Sequence, residues 1–357
     1  IHAWIGWIAG LRLGLSIVSP TAPALACWFA GALVLAAVLR SHEAFPAGRL
    51  PVQIAGRIMA LLRRTPHRRR QIALAATLFA ASALCWRSWS HPATIDFLDV
   101  EEGDAAFVRT PGGDTMLIDG GDKSKYLDMG RWVVTPFLYR HGAGRLDYLL
   151  VSHPDRDHIG GVFHVLESVR VGQVVLGAVP TEAELEAELL ARCAQRGVPV
   201  RRVERGDRIA LEGARLEVLH PPPGWPPEPP NDLSLVVRLA WPGVSVLFPG
   251  DVEEQAEQEL VAQDCRAMVL KAPHHGSDTS STPVFLDAVR PRIAVVSTHA
   301  RNPMPPARAA VLERYEARGI RVWRTDIYGG IRLQTDRGGV RLLSARRQRG
   351  YLPAAVE

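Results

Sequence analysis

Three apolar runs in this chain end in the same way, and together they restrict what it can fold into. Leu146-Asp147-Tyr148-Leu149-Leu150-Val151-Ser152 leads into His153-Pro154-Asp155-Arg156-Asp157-His158-Ile159-Gly160-Gly161. Val244-Ser245-Val246-Leu247-Phe248 leads into Pro249-Gly250-Asp251, and Met268-Val269-Leu270-Lys271-Ala272 into Pro273-His274-His275-Gly276-Ser277. Each run reads as a short buried strand bounded by Gly or Pro. Each delivers imidazoles or carboxylates to a loop at the edge of a sheet, which is where a two-metal hydrolase needs them.

The chemistry implied is hydrolysis assisted by divalent cations. Paired cations lower the pKa of a shared water and neutralise charge on the oxygens of a phosphoryl centre. This demands several His and carboxylate ligands, with at least one carboxylate able to bridge. The first motif supplies His153, Asp155, Asp157 and His158 as metal ligands. Asp251 is the expected bridging carboxylate; its competing role is to cap a helix starting near Val252-Glu253-Glu254. His274 and His275 are both candidates for ligation or for protonating the leaving oxygen, with His275 favoured as ligand. Asp157 is expected to serve catalysis as well as metal binding. Lys271 reads as a surface lysine, with contact to a phosphate as the alternative. Two ions are expected. No Cys lies near the motifs, and the carboxylate share favours Mn²⁺, while Zn²⁺ is common for His/Asp sets.

The rest of the C-terminal part reads as mixed α and β. Thr94–Val100, Ala105–Thr110 and Thr115–Asp119 form a meander around Pro111-Gly112-Gly113. Further strands are expected at Val171–Leu176, Leu216–His220, Leu233–Ala240, Ile293–Thr298, Val322–Thr325, Gly330–Leu333 and Val340–Leu343. Helices are expected at Glu182–Arg196, stopped by Gly197, and at Glu253–Ala262, Pro283–Val289 and Ala307–Arg318. This bounds a domain at residues 91–345, with 346–357 as a tail. Seven prolines in His220–Asp232 exclude helix and central strand there. That segment reads as a stiff wall beside a site or as a surface loop. Cys193 and Cys265 are the only cysteines of this part, and one disulfide between them is a possibility.

Charge divides the chain unevenly. Residues 1–90 hold ten Arg, no Lys and one acid, Glu43, leaving 32 basic and 36 acidic residues for the remainder. The domain is therefore mildly acidic, which excludes a broad basic nucleic-acid face and allows only local contacts. Thr21–Leu39 is uncharged and of membrane-span length, and Ile72–Trp86 is a shorter apolar candidate. Eight Arg lie in Arg40–Arg70 between them. The positive-inside rule puts that loop in the cytoplasm and the domain beyond the membrane. The repeated apolar segments argue against a cleaved signal peptide.

Taken as an ordered set, the motifs resemble the C-terminal hydrolase domain of the ComEC-type DNA-uptake proteins of naturally transformable bacteria. The residues that carry the resemblance are Phe97–Ala105, Leu117-Ile118-Asp119-Gly120-Gly121, the His153–Gly161 run, Asn231–Val236, Phe248–Asp251, Lys271–Ser277, and Arg324-Thr325-Asp326 with Gly329-Gly330. The resemblance implies a metallo-β-lactamase-like four-layer αββα sandwich, preceded by transmembrane helices of a channel. It implies a nuclease-like activity on one strand of incoming DNA during natural transformation, with single-stranded DNA and other DNA-uptake proteins as partners. It adds Asp104, Asp119 and Asp232 to the residues around the site. Two departures stand out. Glu101-Glu102-Gly103-Asp104 replaces the family's Gly-Gln-Gly-Asp, and a late Gly-His-Pro is absent from Arg301–Pro306, leaving His299 as its nearest substitute. The missing late His keeps open a degenerate domain that binds DNA or gates the channel, and the acidic charge of the domain keeps open a hydrolase of a small phosphodiester, a phosphonate or a lactone.

Overall fold

The computed structural model describes residues 93–353, except residues 102, 182, 227–228, 300–305, 337–338 and 347–348. The first half runs β1 (Thr94–Phe97), β2 (Ala106–Arg109), β3 (Thr115–Ile118), α1 (Thr135–Arg140), β4 (Arg145–Leu150), α2 (Arg156–Ile159), α3 (Val162–Ser168), β5 (Arg170–Gly177), α4 (Glu184–Arg196) and β6 (Val200–Val203). The second runs β7 (Arg208–Leu211), β8 (Ala214–His220), β9 (Val236–Trp241), β10 (Val244–Phe248), α5 (Glu254–Val261), β11 (Val269–Lys271), α6 (Pro283–Val289), β12 (Ile293–Val296), α7 (Pro306–Glu316), β13 (Arg321–Arg324) and α8 (Thr325–Tyr328). Three strands follow: β14 (Ile331–Asp336), β15 (Gly339–Ser344) and β16 (Arg349–Pro353).

The strands form two sheets. One has nine strands in the order β16-β15-β14-β1-β2-β3-β4-β5-β6, the other seven in the order β13-β12-β11-β10-β9-β8-β7. Three apolar clusters define the layers. The first lies between the sheets and joins Ile95, Phe97, Met116 and Leu150 of one to Val218, Val246, Phe248 and Val295 of the other. The second packs Leu117, Leu146 and Leu149 against Val134, Leu138, Val162 and Leu166 of the helices on the outer face of the larger sheet. The third packs Leu247, Leu270 and Ala294 against Ala256, Leu260, Phe285 and Tyr315 on the far side of the smaller sheet. Consecutive residues on β4 and β10 thus feed different clusters, as strand alternation requires. The result is a four-layer αββα sandwich, and each buried Leu or Phe contributes about 1.5–3 kcal/mol.

Several expectations need correcting. Cys193 and Cys265 are both free and buried, one in each helix–sheet cluster, so they form no disulfide. Strands β6 and β7 and helices α1, α2 and α3 were not expected, and β16 pairs with β15 inside the segment read as a tail. Asn231–Leu233 is a tight helical turn, so the β9 strand starts at Val236. Among the described residues no helix is long and apolar enough to cross a membrane. The spans expected at 21–39 and 72–86 lie outside the described residues.

The topology positions the site. β3 and β4 are parallel neighbours, as are β10 and β11. Their carboxyl ends carry Asp119, Ser152-His153, Asp251 and the Pro273–Gly276 turn. In α/β sheets the crevice beyond these ends is where ligands bind.

Candidate metal centre

Asp251 is the hub of the cluster. Its Oδ2 lies 3.2 Å from His158 Nε2, 3.5 Å from His275 Nε2 and 3.9 Å from His153 Nε2. Asp157 Oδ2 joins at 3.2 Å from His275 Nε2 and 3.8 Å from His158 Nε2. Donor atoms of Asp157, His158, Asp251 and His275 all lie within 4.8 Å of one another, and those of Asp104, Asp119 and His158 form a second such group. Asp155 stands at the rim, half-exposed, 3.8 Å from His153 Nε2. Asp251 does not cap α5, whose N-cap is Glu253; the Glu253 N–H donates to Asp232 Oδ1 instead, at 2.6 Å. Asp232 is thereby a loop-fixing residue outside both groups.

The imidazoles are aimed by their other nitrogens. Ser152 donates its backbone N–H and its hydroxyl to the two carboxylate oxygens of Asp119, both at 2.8 Å. His158 Nδ1 lies 3.1 Å from Asp119 Oδ2, and His153 Nδ1 lies 3.1 Å from the Ser152 hydroxyl. A carboxylate only accepts, and the hydroxyl hydrogen is already committed to Asp119, so both Nδ1 atoms are the N–H donors. In the neutral rings that ligation requires, this leaves the Nε2 lone pairs of His153 and His158 directed at the cluster, the arrangement in which outer hydrogen bonds orient metal-binding histidines. Ser152 was missed in the sequence; its only signal was a polar residue at the end of an apolar strand, beside His153.

Local backbone geometry separates His274 from His275. Both are left-handed, with φ of 46° and 52°, in a turn between β11 and α6. Two successive non-glycine residues there are uncommon and carry strain of the kind concentrated at functional sites. The turn throws His275 into the cluster, where it is buried. His274 faces outward, half-buried, with Nδ1 3.2 Å from Glu253 Oε1. Lys271 overturns the surface-lysine reading: it is 4% exposed, and its Nζ lies 2.7 Å from Asp104 Oδ2. Asp104 Oδ1 in turn is 3.5 Å from His275 Nδ1. The turn that carries Asp104 persists without the family's first Gly, because Glu101 itself adopts φ 64°. Gly103 is indispensable there, since a Cβ would sit 2.1 Å from the Asp157 carbonyl oxygen. His299 belongs to neither donor group; it lies near Asp99, whose carboxyl burial raises despite the opposing pull of Arg346 and, more weakly, His299.

Burial opposes charge on all these groups, and their mutual attraction sets each outcome. Burial works to raise Asp251, but His158 and His275 overcome it and hold the carboxyl well below its ordinary range. Asp157 is brought down to about 2 against its own burial, by its His275 hydrogen bond and by His158. Burial works to deprotonate His158 and His275. Asp251 outweighs it, helped by Asp119 for His158 and Asp104 for His275, so His158 rises well above its usual value and His275 to about 9. His153 is lowered by burial and by His158.

A divalent cation fits these residues. His153 Nε2, His158 Nε2 and Asp251 Oδ1 are fully buried without any hydrogen-bond partner. Leaving such atoms unpaired costs about 1–3 kcal/mol each, a cost a ligated ion removes. The donor set, imidazole nitrogens with carboxylates and no thiolate, suits Zn²⁺ or Mn²⁺.

The family model described as "Metallo-beta-lactamase superfamily" matches residues 98–300. ComE operon protein 3 of Bacillus subtilis is 31% identical over 258 aligned residues, covering 68% of this chain and 33% of that protein. Competence protein ComA of Neisseria gonorrhoeae is 30% identical over 362 aligned residues, covering 98% of this chain and 48% of that protein. The chain thus spans between 33% and 48% of the length of these two relatives. Among solved structures, the metallo-beta-lactamase fold protein YhfI from Bacillus subtilis is similar at a TM-score of 0.44 and 9% identity, covering 65% of this chain and 95% of that one.

Proposed function

The chain belongs to the metallo-β-lactamase superfamily, and on that premise we propose that its described domain is a metal-dependent phosphodiesterase that cuts DNA during uptake, held beyond the cytoplasmic membrane by the apolar N-terminal segments. A metal-dependent hydrolase is supported by the fold and by the competence-protein homologues. The observation that carries the reading is the set of buried, unpartnered donor atoms of His153, His158 and Asp251 at the ends of neighbouring strands. His153, Asp155, Asp157, His158, Asp251 and His275 would hold the ions, with Asp251 as the shared carboxylate because its Oδ2 faces all three imidazoles. Bound cations supply Lewis-acid charge for the phosphoryl oxygens and an acidified water.

The remaining residues position and move protons. Asp119 and Ser152 lock the tautomers of His158 and His153. Lys271 and Asp104 brace His275 from its Nδ1 side. His274 stands beside the cluster, outside the donor group, oriented by Glu253. Its place suits a proton donor to the leaving oxygen, a role worth about 10²–10⁴ in rate. The purified 357-residue chain should cut single-stranded DNA with Mn²⁺ or Zn²⁺, and Asp157→Ala should abolish cutting. Absence of cleavage with every divalent ion would overturn the enzymatic reading. A non-catalytic domain that binds DNA or gates the channel draws support from His299, which lies outside both donor groups. It requires low metal content and DNA binding indifferent to EDTA.

A further inference from the structure

The segment that follows Asp119, a loop running into a helical turn at Gly130–Val134, displays two aromatic rings in solvent. Tyr126 is 88% exposed and Trp132 62%. A single exposed ring is ordinary; two rings with their faces in solvent, each beside a cation, leave π surfaces free to stack on a ligand. Backbone pairing holds the loop in shape. Lys123 bridges Asp128, Met129 N–H donates to Asp122 O at 2.9 Å, and Trp132 N–H donates to Asp128 O at 3.0 Å. Each ring is accompanied by a cation. Lys125 Nζ lies 5.7 Å from the Tyr126 centroid and Arg131 Cζ 5.2 Å from that of Trp132.

The base of the loop adjoins the metal centre. Gly121 N–H donates to Asp104 O at 2.8 Å, and Arg156 Nε, one residue from Asp157, donates to Asp122 Oδ1 at 2.8 Å. The acids of the loop are answered, Asp122 by Arg156 and Asp128 by Lys123 at 3.9 Å. Lys125 and Arg131 pair with no carboxylate among the described residues, so the rim is locally basic beside an acid-rich cluster. Exposed rings interleaved with cations form a surface for unpaired bases and their phosphates. Duplex bases are already stacked on one another and offer no face.

We propose that Tyr126 and Trp132, with Lys125 and Arg131, form a stacking platform that lays a single-stranded polynucleotide alongside the metal centre. The proposal rests on the DNA-cutting reading and says which residues hold the strand. Aromatic and basic residues also suit a lipid interface; adjacency to the metal centre favours the polynucleotide.

The test uses the full chain in detergent with EDTA, and the anisotropy of a labelled oligothymidylate and of a duplex of equal length. The chain should prefer the single strand. Tyr126→Ala/Trp132→Ala should weaken single-strand binding at least about tenfold, while Tyr126→Phe/Trp132→Phe retains it. Metal-loaded hydrolysis of bis-p-nitrophenyl phosphate, too small to reach the platform, should be unchanged in both. Equal single-strand affinity of the alanine variant and the unaltered chain overturns the platform alone. So does loss of binding to phosphatidylglycerol vesicles with DNA binding intact. An unaltered chain that hydrolyses the small ester but binds no single strand removes the DNA reading and the platform together.

Discussion

Replacing Lys271 by Met removes one half of a buried ion pair. The Lys271 and Asp104 side chains are 5% and 9% exposed, and their charged atoms are 2.7 Å apart. Lys271 also donates to the Ala272 carbonyl at 2.9 Å. Without the ammonium, the Asp104 carboxylate stays buried with His275 Nδ1, at 3.5 Å, as its nearest cation. Breaking a buried pair in this way costs about 3–5 kcal/mol, mostly the desolvation of the charge left behind. The expected loss is at the lower end of that range, because His275 supplies part of the missing charge. Urea unfolding with EDTA present, followed by circular dichroism, should show a lower midpoint at unchanged slope. Asp104→Asn should be destabilising too, and the double variant should fall short of the summed losses by about 2 kcal/mol, as coupled neighbours do. A loss under about 1 kcal/mol with additive behaviour is what a solvated surface pair gives, and it would refute the buried bracing of His275.

Three further outcomes follow from the site. His275 is held up to about 9 against an ordinary 6.5, so its charge stabilises the cation-free domain fully below pH 6.5 and progressively less as pH climbs through 9. Thermal unfolding in EDTA should therefore show a midpoint falling between pH 6.5 and 9. Saturating Mn²⁺ should oppose that fall, since ligation needs deprotonated imidazoles; a flat EDTA profile would count against the cluster's electrostatics. His274→Asn should lower cleavage of DNA about 10²-fold or more yet barely affect bis-p-nitrophenyl phosphate, whose leaving group departs without a proton. Equal losses on both substrates would exclude a proton-donor role. Glu101→Gly should stabilise the domain by about 0.5–1 kcal/mol in the same urea assay, because Glu101 holds φ 64° and glycine takes that conformation without strain.

His153, Asp251 and His275 stood out because each follows the end of an apolar run, which strand periodicity puts at a sheet edge, and His158 stood out as the last imidazole of the polar burst after His153. The alternation of strands and helices after Tyr148 marked the α/β class, and three separate apolar faces became visible only with the layers assembled. What stayed hidden depended on contacts far apart in sequence or on single dihedrals. Nothing near Lys271 in the chain announces Asp104 as its partner. The choice between His274 and His275 rests on two left-handed residues that no pattern encodes. Gly160-Gly161 reads as a turn, yet Gly161 leads straight into α3. The reason is close approach: a Cβ at Gly161 would lie 2.0 Å from the Gly120 carbonyl oxygen. Strands β6 and β7, Val200-Arg201-Arg202-Val203 and Arg208-Ile209-Ala210-Leu211, are short edge strands carrying arginines, too polar to stand out.

The most direct test is the metal content of the purified chain, by elemental analysis after dialysis against metal-free buffer, beside Asp251→Asn and His158→Ala. Convergence of these side chains on divalent cations requires at least stoichiometric Zn or Mn in the unaltered chain and its loss in both variants. Metal far below one ion per chain, or content unchanged when Asp251 and His158 are replaced, would contradict it.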